Sequence, residues 1–506
     1  MVIDLLKNKI TGFSSMHERG DFIVIMLGRG LQALTAVVAI RLMTSLLSPE
    51  EAGRYYILIT LTTFFALFLI NPMGMYINRK THDWHRNRTM QSNLYLYWLY
   101  LLVIAFFALF VLLLLRSTIG LGMEITWLWL LAVIAGSLLF NTGNVTITTI
   151  LNMLGNRIGF VVFTLLTMWV GMGLAVLFTT KIAGNAEYWL FGAILGQLVI
   201  FLVAYGYLTR ELNNAKDGPH SKPVGIPQWE TLLPVLRFAW PVAITAGAGW
   251  VQMQSYRFVL GHFGGLGELG LFAVGYGIGA SFMLGAFFTI FLQYYYPIFY
   301  GEISTADREG RRASWDKFAA YLFPAALLMA AFAIACAPYL TKLMVAAEFQ
   351  DCGRFILWGV LAHFAFVVGS SFSMIAHAEM RTIWLIGPAV TGAILALVGI
   401  LLLSRWNPQT GTGIALTAAG FAMSAYLAVR LHREIAFSFP WRRIFISIAL
   451  SAPLLAGLIG GLNRLYDPPT YLQSIIVLSV AGIYLLIGQS LVATHWLGKA
   501  QTEKVA

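Results

Sequence analysis

The chain has 506 residues, 59% hydrophobic and only 11% charged, with a mean hydropathy of +0.76. This composition excludes a soluble globular protein and specifies a polytopic membrane protein. Its two cysteines, Cys336 and Cys352, form no CxxC and join no His/Cys cluster, so there is no zinc, haem or iron–sulfur reading and no cofactor is expected. The net charge of +11 has to be sorted by side of the membrane before any nucleic-acid partner is invoked.

Residues 1–20 are polar and mixed in charge, which is not the pattern of a cleavable signal. Leu5, Leu6, Ile10 and Phe13 there read either as a surface-lying amphipathic stretch or as a frayed tail. A bilayer core needs roughly 20 apolar residues per helix. Fourteen such runs follow, at about 22–46, 55–77, 92–115, 125–150, 158–179, 187–208, 235–260, 269–299, 318–338, 355–376, 382–404, 411–429, 443–462 and 471–494. With the N-terminus inside, 22 of the 33 lysines and arginines fall in inner segments and seven in outer loops. Basic loops resist translocation, so both termini are expected in the cytoplasm. The strongest inner loops are "RKTHDWHRNR" (79–88), "DREGRRASWDK" (307–317) and "RLHREIAFSFPWRR" (430–443). The positive charge is then a topology signal and an attraction to membrane lipids, with no nucleic-acid partner.

The chain repeats itself. Arg41, Glu51 and Gly53 of "RLMTSLLSPEEAGRYY" (41–56) have counterparts in Arg257, Glu268 and Gly270 of 257–277. "LNMLGNR" (151–157) ends the fourth span as "IAHAEMR" (375–381) ends the tenth. The expected fold is therefore an all-α polytopic membrane protein of about fourteen transmembrane helices, with two six-helix lobes in parallel pseudo-repeat and two extra C-terminal helices. Its expected parts are an N-terminal cytoplasmic segment (1–21), an N-lobe (22–209), a cytoplasmic linker (210–233), a C-lobe (234–436) and a tail carrying spans 13 and 14 (437–506).

Four arginines lie within the apolar runs, Arg29, Arg41, Arg237 and Arg257, while all 22 acidic residues fall in loops or at helix ends. An arginine at mid-membrane costs about 2.5–3.5 kcal/mol and is kept where it snorkels, pairs or lines a watery cavity. Snorkelling and anion binding stand as the two readings for each of the four. Planar guanidinium groups suit phosphate oxygens. Gln32, Asn71, Asn141, Asn144, Gln197, Gln252 and Gln254 read either as cavity residues facing sugars or as inter-helix hydrogen bonders. His363 and His377 read as a proton relay or as structural histidines. Pro72, Gly74 and Pro241 are breakers for motion or plain helix punctuation. "YYYPIFY" (294–300) reads as an interfacial aromatic belt. Cys336 and Cys352 both fall toward the outside, so an oxidised pair and free thiols are both open.

The run "LLSPEEAGRYY" (46–56), its echo "GGLGELGLF" (264–272), "RFAWPVA" (237–243) and "MYINR" (75–79) resemble polysaccharide exporters and Wzx-type O-antigen flippases of the multidrug/oligosaccharidyl-lipid/polysaccharide (MOP, MATE-like) superfamily. One departure is Tyr256, where the family commonly has an acid before the second-half arginine. The resemblance implies a flippase, not an enzyme. It would translocate polyprenyl-pyrophosphate-linked oligosaccharides across the bacterial inner membrane for O-antigen or exopolysaccharide synthesis, by alternating access. Arg29, Arg41, Arg257 and Arg237 would contact the pyrophosphate; Gln32, Asn71, Asn144, Gln252 and Gln254 would line the cavity. Expected partners are the lipid-linked glycan, membrane lipids, and a glycan polymerase with its assembly proteins. The alternatives are a flippase for the peptidoglycan precursor and a cation-coupled multidrug exporter. No GxxxxGK[ST] loop or catalytic triad supports a membrane enzyme.

Overall fold

The computed structural model describes residues 16–119, 126–214, 229–289, 307–378, 381–462 and 468–502, with a few positions between 291 and 302. The stretch 1–15, most of the linker and much of "YYYPIFY" lie outside the described residues. Every described element is helical. Thirteen described helices are long and apolar enough to cross a bilayer. One of them, Ala239–Gly285, has 47 residues, about 70 Å of helix at ~1.5 Å per residue against a hydrocarbon core of ~30 Å. Gly265, at φ +83°, breaks it into the expected seventh and eighth spans. A residue with a Cβ disfavours that conformation, and glycine tolerates it. The chain is a multi-pass, all-α membrane protein.

The other spans, in order, are Ile23–Leu46, Pro49–Arg86, Met90–Thr118, Trp127–Met153, Arg157–Lys181, Ala186–Asn213, then Arg308–Ala335 as the ninth, Ala347–His377, Ile383–Leu403, Pro408–Ile435, Trp441–Gly460 and Tyr471–Val492. Several are longer than the apolar runs. "RKTHDWHRNR" continues the second helix as far as Arg86. Most of "DREGRRASWDK" forms the first turns of the ninth helix, capped by the Asp307 carboxylate on the Gly310 N–H at 2.8 Å. Polar residues are no obstacle to a helix once it has left the hydrocarbon, so hydropathy marks the membrane and not the helix end. Lipid-facing stripes are visible by exposure: Val103, Phe106 and Phe110 of the third span point out, with Phe106 71% exposed, while Leu101, Ala105 and Ala108 are buried.

Contacts divide the described residues into two compact units, one ending at Trp250 and one beginning at Val251. The start of the seventh span thus packs with the first unit. There the Trp250 indole donates to the Thr60 carbonyl at 3.2 Å and meets Phe64 edge-on at 4.9 Å. The first unit is built around the fifth and sixth spans. A Cβ on Gly196 would come within 2.5 Å of the Gly171 backbone, and one on Gly192 within 2.6 Å of Ala175. These are two small-xxx-small pairs that let backbones touch. The second unit has the same device. Cβ atoms on Gly275 and Gly279 would strike the carbonyls of Cys352 and Ile356, and one on Gly359 that of Tyr276. The fourth and tenth spans also end alike, the Asn156 N–H reaching Leu151 O and the Arg381 N–H reaching Ala376 O, both at 2.9 Å.

At the other end of the second unit, the Trp315 indole, fully buried, donates to Ser371 O at 3.0 Å and packs on Phe372 and Phe437. Asp316 accepts from the Ser438 N–H and hydroxyl at 2.8 and 2.6 Å, and Arg308 donates to the carbonyls of Arg433 and Glu434. These bonds fix the short link 436–440, opened by Ala436 at φ +48°, between the twelfth and thirteenth spans. Cys336 and Cys352 are both buried free thiols, and burial pushes Cys336 up to about 12.

The fifth–sixth seam predicts a selective packing defect. Gly196→Leu should overpack it by about 1–3 kcal/mol and reduce monodisperse protein in fluorescence-detected gel filtration of detergent extracts. Gly206→Leu, with open space around the new side chain, should leave the profile unchanged.

Candidate functional site

The first span carries the clearest polar face. Arg29 is exposed, its Nη1 donates to Gln32 Oε1 at 3.0 Å, and its guanidinium lies 5.7 Å over the Phe160 ring of the fifth span. One turn on, Thr35 accepts from the Trp169 indole at 2.9 Å. Gly28 faces the Val161 side chain, so the first span sits close against the fifth and turns Arg29 and Gln32 to the side of that contact. Among the described residues, no carboxylate pairs with Arg29. Arg41 is half-buried twelve residues further on, about 18 Å along the helix. The structure therefore brings Arg29 and Gln32 together and leaves Arg41 at another depth.

Asn71 follows a widened π turn, Ala66–Ile70, and is exposed; its N–H returns to Ala66 O. Pro72 offers no N–H, and the Tyr100 hydroxyl satisfies the Leu69 carbonyl at 2.7 Å. Asn144, 2% exposed, donates to Gln197 O at 2.6 Å and so joins the fourth span to the sixth. This is the inter-helix role. Asn141 is exposed, in a second π turn, Ser137–Asn141.

One cluster was missed in the sequence. Glu51 Oε2 accepts from the Ala186 N–H at 2.8 Å, at the start of the sixth helix. Arg54 lies 3.1 Å from Glu51 and 3.7 Å from Glu187, which is only 5% exposed. Ser48 caps the second helix on the Glu51 N–H at 3.3 Å and Pro49 takes its first position. "LLSPEEAGRYY" is thus a cap and a charged clasp onto the next helix pair. The signal available was the Glu51–Arg54 spacing, but nothing local points to Glu187, 133 residues further along the sequence.

In the second unit the polar atoms crowd into residues 252–257. Gln252 is 3% exposed, and its Nε2, Gln254 Oε1 and Ser255 Oγ are buried without hydrogen-bond partners. Arg257 is half-buried; its Nε donates to the Tyr256 hydroxyl at 3.3 Å and its guanidinium lies 5.6 Å over the same ring. The tyrosine at the family's acid position thus meets the arginine with a hydroxyl and a π face. Tyr276 and His363 lie ring to ring at 5.2 Å, and His363 Nδ1 contacts Gly359 O at 2.8 Å. His377, by contrast, is exposed. The side chain of Arg237 lies outside the described residues. Among the described residues no group of His, Cys, Asp and Glu is placed to hold a metal.

Such an arrangement, guanidinium groups and amides on membrane helices without mid-span carboxylates, is suited to an anionic, hydroxyl-rich ligand. Comparison with solved structures gives the fold a setting. The chain is similar to a lipid II flippase, MurJ, in an inward closed conformation, with a TM-score of 0.66, 13% identity, and 94% of this chain and 99% of that one covered. It is also similar to MATE-family multidrug resistance transporters of the MOP superfamily. An inward-facing one gives a TM-score of 0.57 at 13% identity over 80% and 94% of the two chains, and an outward-facing one gives 0.52 at 15% over 84% and 98%. No curated protein sequence matches. The model of a family described as polysaccharide biosynthesis protein matches residues 19–300, more than half of the sequence, and the chain belongs to that family.

Proposed function

We propose that the protein is a flippase that moves a polyprenyl-pyrophosphate-linked oligosaccharide from the inner to the outer leaflet of a bacterial cytoplasmic membrane by alternating access. The observation that carries the reading is Arg29: a charge about six residues inside an apolar span, exposed, with the neutral Gln32 as its hydrogen-bond partner. Holding a guanidinium in hydrocarbon without a carboxylate is costly, and a pyrophosphate visiting that depth would offset the cost. Arg41, Arg237 and Arg257 are further contacts in this scheme. Arg29 and Arg41 are too far apart for one phosphate, so they act in succession. Gln32, Asn71, Gln252 and Gln254 present amides to sugar hydroxyls; the unpartnered atoms of the last two favour that use. The bias of basic residues toward the inner segments supports cytoplasmic termini. A glycan polymerase and its assembly proteins would take the product, and no catalytic step belongs to this chain.

A second reading, a flippase for the peptidoglycan precursor, is favoured by the similarity to the lipid II flippase over 94% of the chain. Drug export is less favoured, since cationic drugs and proton coupling call for buried mid-span carboxylates.

Mass spectrometry of membrane lipids after depletion of the protein should show one polyprenyl-pyrophosphate oligosaccharide accumulating. Accumulated peptidoglycan precursor would select the second reading, and an unchanged profile would refute both. In proteoliposomes with a fluorescent lipid-linked oligosaccharide, Arg29→Ala should slow translocation by about tenfold or more, the worth of one charged hydrogen-bonded contact. Arg29→Lys should recover only part of the rate, because an ammonium lacks the bidentate fork. Unchanged transport at equal expression would remove Arg29 from the path.

A further inference from the structure

The start of the sixth helix gathers two acids around one guanidinium. Arg54 lies 3.1 Å from Glu51 and 3.7 Å from Glu187, and the two carboxylates are unlike: the Glu51 side chain is 18% exposed and that of Glu187 only 7%. Glu51 has both oxygens engaged, one on Arg54 and one on the Ala186 N–H. Glu187 Oε2 is buried and has no hydrogen-bond partner. Asn185 Oδ1, two residues earlier, is a second buried acceptor without a donor. The loop that leads to them is pressed against the end of the first span, where a Cβ on Gly184 would come within 3.2 Å of Leu46 O.

The elements around Glu187 bring it no second cation among the described residues. The fourth span, Trp127–Met153, contains no charged residue. The second helix contributes Glu50, which is exposed, besides Glu51 and Arg54, and the fifth ends in Lys181, also exposed. Arg116, at the end of the third, lies 4.7 Å over the Trp127 ring. The remaining titratable side chains at this end are the half-buried phenols of Tyr55, Tyr56 and Tyr188. A buried carboxylate oxygen that accepts nothing is costly, and a guanidinium shared with a second acid offsets only part of that cost. A metal ion is a poor remedy, because Arg54 already stands against both acids and would repel it. A proton corrects both defects. It removes the excess negative charge, and it makes Glu187 a donor at a helix start where Asn185 Oδ1 lacks one.

We propose that Glu187 is a reversible proton-binding site, and that its proton sets the grip of the clasp between the second and sixth helices. With Glu187 neutral, Arg54 belongs to Glu51, whose other oxygen keeps the Ala186 N–H. With Glu187 charged, two acids oppose each other across one guanidinium and the clasp loosens. The grip therefore tightens as pH falls and weakens as pH rises. On the proposed topology this end faces the outside; the chemistry of the site depends neither on that nor on the cargo.

Infrared difference spectroscopy of the purified full-length protein, stepped from mildly acidic to alkaline pH, tests the site. The wild type should show a protonated-carboxyl C=O band that gives way to carboxylate bands as pH rises, and that contribution should be missing from E187Q. E187D keeps an acid and should retain the band at a shifted position, which also serves where E187Q folds poorly. Thermal unfolding followed by tryptophan fluorescence reads the latch. E187Q, fixed in the neutral form, should match the wild type at low pH and exceed its melting temperature increasingly as pH rises. Identical difference spectra for the wild type and E187Q, or melting temperatures that run parallel across the pH range, overturn the proposal. So does a band lost in E51Q and kept in E187Q, since the proton would then sit on Glu51.

Discussion

In hydrocarbon an apolar side chain gains nothing by leaving lipid for a neighbouring helix, so this bundle depends on places where backbones come close. Gly171 with Gly196 and Ala175 with Gly192 form one such place, and Gly275, Gly279 and Gly359 another. Each joins two spans of its own unit. The first span lies on the fifth through Gly28 and Val161, and that contact decides which way Arg29 and Gln32 face. In the second unit Tyr276, at the glycine seam, packs on Tyr256, the neighbour of Arg257, with ring centroids 5.4 Å apart. Packing and polar placement are consequences of the same close approach.

Much of this was legible in the sequence because the bilayer simplifies the code. Length and hydropathy are sufficient for fourteen crossings, and the repeat of "LNMLGNR" at 375–381 is matched by the same closing hydrogen bond in both turns. The helix ends were less legible. Nothing in hydropathy distinguishes the helical "RKTHDWHRNR" from a loop, and the π turns at Ala66–Ile70 and Ser137–Asn141 have no periodic signature at all. Gly265 was one glycine among several in "GGLGELGLF"; only its φ marks it as the break between the seventh and eighth spans.

The candidate site was legible in a particular way: charge stood out and partnership did not. Arg29 is conspicuous because arginine is rare in such runs, but its bond to Gln32 needs only an i, i+3 reading and could have been drawn from spacing. Glu187 could not, because its partner Arg54 comes from a distant helix. The motif that carried the family resemblance turned out to hold helices together at Ser48, Glu51 and Arg54, which explains how a short motif can specify an architecture and remain silent about cargo. Asn144 reads in the sequence either as a sugar-facing amide or as an inter-helix hydrogen bonder, and the structure shows the second.

The sign of the membrane-embedded charge connects the architecture to its use. A transporter of cations must bury acids, whose desolvation is relieved when the cargo binds; a transporter of anions faces the same problem with the sign reversed. Here the acids stay at helix ends, Glu51 and Glu187 closing a clasp with Arg54, while guanidinium groups enter the spans. Arg29 rests on a neutral amide and the Phe160 ring, and Arg257 meets the hydroxyl and ring of Tyr256, where the family pattern has an acid. Amides, hydroxyls and aromatic faces steady a cation without neutralising it. A carboxylate beside Arg29 would lower the cost of burial permanently and leave the guanidinium with little to offer a phosphate. On the proposed function, the neutral partner of Arg29 keeps that cost outstanding until a phosphate arrives, as a carrier that must also release its cargo requires.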